Sequence, residues 1–140
     1  MGKKKRIKII VERTNTGYTA YAADFPVYTT GDTPGELIDN IIEALSLYFE
    51  DENIDREAIS LELDLKQFFN HYRIINSKVL AARIGMNPTL LSQYVRGHKK
   101  PSEKQTHKIV CGINKIGEEL AEMKLIYERQ LDRNGDEATK

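Results

Sequence analysis

One cysteine, no tryptophan and four prolines leave little of the residue chemistry that usually narrows a reading quickly. With Cys111 alone no intramolecular disulfide can form, and a thiolate zinc site has no second sulfur. The histidines His71, His98 and His107 are scattered, so neither a metal nor any other cofactor is expected. No apolar run approaches the ~20 residues of a membrane span. The start, MGKKKRIKIIVERT, is basic but has no apolar h-region and no small-residue cleavage site. These absences lead to the expectation of a cytoplasmic protein with no membrane partner. Stretches rich in Gly, Pro or Ser that would mark a linker are missing as well, and there is no internal repeat.

What is present is segregated charge. The 140 residues carry as many acids as bases, yet residues 1–64 sum to −6, residues 65–116 to +9 and residues 117–140 to −3. Only Glu103 is acidic in the middle segment. A solvated helical face usually mixes both signs, so a compact excess of this size points to a phosphate-binding surface. The apolar fraction of 40% suffices for one domain or two small ones. The mean hydropathy of −0.51 is that of a soluble protein.

Along the chain, Ile7, Ile9 and Val11 alternate with Lys8, Ile10 and Glu12 as a strand would. Asn15-Thr16-Gly17 supplies turn chemistry, and Tyr18 to Ala23 reads as the returning strand of a hairpin. Val27 to Thr30 makes a short third strand. Thr33 and Glu36 form a capping-box pair with Pro34 at the first helical position. The helix that follows carries Ile38, Ile41, Ile42, Leu45 and Phe49 on one face, widened by Leu37, Ala44 and Tyr48, and needs a sheet to cover it. Ile59, Leu61, Leu63 and Leu65 alternate again as a strand. The fold class expected is α+β: a small βββαβ domain over 1–64, then an all-α domain over 65–133, with a disordered tail at 134–140.

The stretch Ser77–Pro101 reads as two short helices around a turn at Gly85. Val79, Leu80 and Ile84 lie at helical spacing on the first, with the small Ala81 where another helix can pack closely. Asn87 is a good N-cap and Pro88 fits the first position of the second helix. Leu91, Tyr94 and Val95 form its apolar stripe, while Thr89, Ser92, Gln93 and Arg96 share a polar face. A helix anchored on one side with short hydrogen-bonding groups on the other suits a DNA major groove. Asn87, Thr89, Ser92 and Gln93 are the expected base-contacting set, Gln93 having the geometry for adenine. Ser77, Lys78, Lys99 and Lys100 are the expected phosphate contacts. Ile109, Ile113 and Ile116 then repeat at helical spacing. Gly117 is read as an interruption, and Leu120, Met123, Tyr127 and Leu131 line one side of a last helix, either a packing arm or a dimer contact.

Leu80-Ala81, Gly85, Asn87, Leu91-Ser92, Arg96-Gly97 and Pro101-Ser102 resemble the Xre/Cro-type helix-turn-helix family over roughly residues 65–125. Ser77 and Val95 stand where that family has Gln and Glu. Gly17-Tyr18, Ala20, Phe25-Pro26, Thr30-Gly31-Asp32-Thr33, Glu36, Asn40, Glu43-Ala44 and Tyr48 resemble the HicB-type antitoxins, whose domain is a partial RNase H-like fold. The resemblance implies a type II antitoxin that masks a small, basic, RNA-cleaving HicA-like toxin. It also implies a repressor that binds its own operator DNA as a homodimer or higher even oligomer.

An RNase H-like outline raises a metal-dependent nuclease, which needs converging carboxylates. Asp24, Asp32, Asp39 and Glu43 are the candidates, and capping or solvation explains them more simply, so no enzyme is expected. Two further alternatives are a stand-alone regulator with a different N-terminal partner, and an interaction protein whose helix-turn-helix is only a scaffold.

Overall fold

The computed structural model describes residues 5–134. It is a mixed α and β structure that divides into two compact units. One runs to Ile75 and includes Val95–Gly97; the other holds Asn76–Tyr94 and the chain from His98 onward. The tail expected at 134–140 lies outside the described residues from 135 on. So do the first two lysines of the basic start.

In the first unit, β1 (Ile7–Arg13), β2 (Tyr18–Ala22), β3 (Tyr28–Gly31) and β4 (Ile59–Leu63) form one sheet in the order β3-β2-β1-β4. The β1–β2 and β2–β3 pairs are antiparallel, and β4 runs parallel to β1 with Ile9 opposite Leu61. A parallel pair needs a crossover. Here α1 (Pro34–Phe49) supplies it and buries Leu37, Ile41 and Leu45 against Ile9, Ala20, Ala22 and Ile59. Thr33 Oγ1 accepts from the Glu36 amide at 3.1 Å, so the N-terminal cap forms as its residues predict. Asn40 donates to the Thr30 carbonyl at 2.8 Å and pins β3 to the helix. Phe49, expected on the buried face, is instead 37% exposed and meets Phe25 and Tyr48 edge-on, both at 4.9 Å.

After β4 comes α2 (Leu65–His71), which belongs to the compact unit of the sheet rather than starting the helical one. The Gln67 side-chain amide accepts from Arg13 N at 2.9 Å and donates to Arg13 O, so it continues the β1 ladder in place of a strand. Arg13 Nε donates to the Tyr72 hydroxyl at 2.8 Å, and its guanidinium lies 4.5 Å from the centre of the Tyr18 ring. Leu65 and Phe69 are buried.

The second unit holds α3 (Ser77–Ile84), α4 (Pro88–Val95) and α5 (Glu103–Asn134). Among its described residues, Leu80, Ala81, Met86, Leu91, Tyr94 and Ile109 are buried. Val79, expected on the apolar face of α3, is 63% exposed. Gly117 does not interrupt the chain, because α5 is a single helix of 32 residues. One exposed glycine costs only about 1 kcal/mol relative to alanine, too little to end a helix that is otherwise well formed on both sides. Gly112 has a different reason: a Cβ there would strike the Ile84 methyl, with Leu80 at 3.7 Å, whereas at Gly117 it would meet nothing within 4 Å. Gly117→Ala is therefore expected to stabilise the unit by about 1 kcal/mol. Gly112→Ala should destabilise it, since overpacking against a stiff β-branched side chain costs ~1–3 kcal/mol. Urea denaturation of the two variants checks the contrast, and equal gains would mean that α3 does not rest on Gly112.

Among the described residues, no helix is long and apolar enough to cross a membrane, and no three His, Cys, Asp or Glu side chains gather as a metal site would need.

Candidate nucleic-acid interface

Two capped ends set the geometry of the basic module. Asn76 caps α3: its Oδ1 accepts from Lys78 N at 3.0 Å and Val79 N at 3.3 Å. At the other end Gly85 is left-handed (φ 69°), Met86 N donates to Ala81 O at 2.9 Å, and Gly85 N donates to Ala82 O. This is a Schellman turn, which satisfies the last carbonyls and redirects the chain sharply. Asn87 Oδ1 then accepts from Thr89 N at 2.8 Å and Leu90 N at 3.3 Å, opening α4.

The C-terminus of α4 repeats the device. Gly97 is left-handed (φ 77°), and His98 N and Lys99 N both donate to Gln93 O, at 2.9 and 3.2 Å. A left-handed turn favours glycine because a Cβ is strained there. The backbone that carries Lys99 is thus held to α4 by hydrogen bonds.

Leu91 and Tyr94 are buried, which turns the opposite side of α4 outward. Thr89 is exposed and Ser92 and Gln93 are half-buried on that side; Arg96, just past the helix, is exposed. Thr89, Ser92 and Gln93 share one face by their one-turn spacing. Asn87 stands at the helix entrance with its oxygen committed to the cap, which leaves its amide nitrogen to donate. Ser77 is half-buried in the first turn of α3, and Lys78, Lys99 and Lys100 are exposed.

Sequence reasoning passed over Asn76, although asparagine directly before a helix is itself a capping signal. It also passed over Arg83, which donates to Glu119 of α5 and ties the first helix of the motif to the long one.

The first unit presents a different surface. The sheet face opposite α1 aligns Tyr28, Tyr21, Ile10 and Glu62 across its four strands, with Thr30, Thr19 and Glu12 in the next row. Burial, then the neighbouring Asp64 carboxylate, raises the Glu12 carboxyl above its ordinary pKa. The Tyr21 phenol is raised too, by burial and then by Glu12, Asp64 and Glu62. Burial is the larger cause of both shifts, and the neighbouring acids add to it. Lys8 of β1 lies 3.6 Å from Glu62. The acids weighed for metal chemistry, Asp24, Asp32, Asp39 and Glu43, are all exposed.

No protein-family model matches the sequence, and no curated protein matches it.

Proposed function

We propose that the chain is a type II antitoxin that doubles as a transcriptional repressor. The sheet unit holds and neutralises a small basic RNA-cleaving toxin of the HicA type, and the helical unit binds operator DNA. The observation that carries the DNA half is the outward face of α4: Thr89, Ser92 and Gln93 on a rigidly capped helix within the +9 segment. Short polar groups on a helix anchored from behind read base edges, and flanking lysines set its position on phosphate. The acidic outer sheet face and the HicB-type resemblance support the antitoxin half, since opposite charge speeds encounter with a basic partner. The division of labour is a sheet domain for protein and a helical domain for DNA, in the cytoplasm.

Gel shift with DNA from upstream of the reading frame tests the first half, and co-purification with the product of the adjacent frame tests the second. Gln93→Ala is expected to cost ~1–3 kcal/mol on the cognate operator and to relax preference at one base pair. Equal losses on specific and random DNA would remove Gln93 from the base-reading set. Binding of DNA without co-purification of a small basic protein would leave a stand-alone regulator.

A further inference from the structure

The apolar seam of α5 runs on past the helices it packs against. Ile109, Ile113, Ile116, Leu120, Met123 and Tyr127 follow one another in alternating steps of four and three residues. That is the 3.5-residue period of a coiled coil. In its first part the seam is covered: Ile109 is fully buried, Ile113 and Ile116 are half-buried, and Gly112 beside them admits Ile84 of α3. Beyond Gly117 the same line is bare. Leu120 is 65% exposed, Met123 53% and Tyr127 64%, with Ile126 exposed on the flank. The helical backbone continues to Asn134. A lone solvated helix is polar all round, and a contiguous exposed apolar stripe marks an interaction surface.

We propose that the second half of α5 is a dimerisation element that zips in parallel against the same segment of a second copy of this chain. The spacing selects a helix as occupant, because a 3.5-residue seam stays in register with another helix that supercoils around it. The flanking charges select a parallel copy. With Leu120 and Tyr127 at a positions and Met123 at d, Glu119 falls at g and Lys124 at e. Parallel pairing then sets Glu119 of each copy against the partner's Lys124, twice by the two-fold axis. An antiparallel pair with Leu120 against the partner's Met123 sets Glu119 beside Ile126 and forms no such bridge. Glu119 also accepts from Arg83, so one carboxylate connects the start of the zipper to the first helix of the DNA-facing motif.

The inference deepens the DNA-binding reading, on which its purpose rests, although its geometry does not. So short a seam buries less than the roughly 800 Å² per partner of a standard interface. The dimer is therefore concentration-dependent and is strengthened when two half-sites on DNA hold both copies together.

Sedimentation equilibrium of the full chain at high micromolar concentration is expected to give a dimer, and the Leu120→Lys/Tyr127→Lys variant a monomer. Both side chains are exposed, so at low micromolar concentration, where the parent is monomeric too, the variant's helicity and melting should match the parent's. Met123→Cys in a Cys111→Ser background should form an intermolecular disulfide in a thiol redox buffer, because only the parallel register brings the two 123 positions into one layer. A parent that stays monomeric, or a dimer that survives both lysines, overturns the proposal. A dimer without that cross-link overturns its parallel form. A monomeric variant that still binds a single half-site supports both readings, and a seam-dependent dimer that shifts no DNA upholds the zipper while removing the DNA reading.

Discussion

Gly31→Ala is expected to remove roughly 3 kcal/mol or more from the stability of the sheet unit, the upper end of what overpacking costs. The added Cβ would fall 2.5 Å from Leu37 N, 2.6 Å from Leu37 Cα and 2.9 Å from Leu37 Cβ. The first two are backbone atoms of α1, and Leu37 N already donates to Thr33 O at 2.9 Å within the first turn. Giving way there means lifting the helix off the sheet, and with it Leu37, Ile41 and Leu45 from the core. The opposite side offers no relief, because Gly31 pairs with Tyr18 and a Cβ on the nearby Gly17 would itself strike the Gly31 carbonyl. Space, not backbone conformation, demands glycine here. Against a total stability of about 5–15 kcal/mol, such a loss should show in urea denaturation as a large fall in midpoint. Each unit has its own buried core, so Gly31→Ala is also expected to lose the protein partner sooner than DNA. A variant within about 1 kcal/mol of the parent would mean that α1 can shift at little cost.

How much of this was legible beforehand depends on the range of the interaction. The capping box at Thr33 and Glu36 and the turn at Gly85 are local, and their residue types carry the information. The strand alternation at Ile59–Leu63 announces a strand but not its partner, so the parallel pairing with β1 could not be read from it. The place of α2 is harder still. Its attachment to the sheet is carried by a Gln67 amide that copies a strand's hydrogen bonds to Arg13, 54 residues away, and by Tyr72 on the same arginine. Leu65, Phe69 and Tyr72 at helical spacing would look the same had they packed on α3. Gly117 misled in the other direction: a weak local preference against helix was overridden by the residues around it. In the candidate interface, the buried and outward faces of α4 follow from periodicity alone. The capping role of Asn87 and its proposed base contact draw on one residue type, and only the hydrogen bonds to Thr89 N and Leu90 N reveal that its oxygen is taken.

The second large effect is electrostatic. Replacing Lys78, Lys99 and Lys100 by alanine is expected to weaken binding to every DNA sequence and to flatten its salt dependence. Each lost phosphate contact should lower the slope of log K against log salt by about 0.9. Hydrogen bonds involving a charged group contribute ~1.5–3 kcal/mol. Even at ~1 kcal/mol each, three such contacts amount to roughly a hundredfold in affinity, since tenfold corresponds to 1.4 kcal/mol. The three positions suit the task for a structural reason. Lys78 lies in the first turn of α3, at the positive end of the helix dipole, which favours a phosphate there. Lys99 lies two residues after the left-handed Gly97, and its amide is fastened to Gln93 O at 3.2 Å. Lys99 and Gln93 therefore hang from one hydrogen-bonded turn, so a phosphate held by the lysine would fix the register in which the glutamine meets a base. The two substitutions should then differ in kind. The lysine variant loses cognate and random DNA together and shows a shallower slope, while Gln93→Ala loses the cognate site alone and keeps the parent's slope. Titrations at several salt concentrations on both DNAs separate them. A lysine variant with the parent's slope would place the phosphate contacts elsewhere on the basic segment.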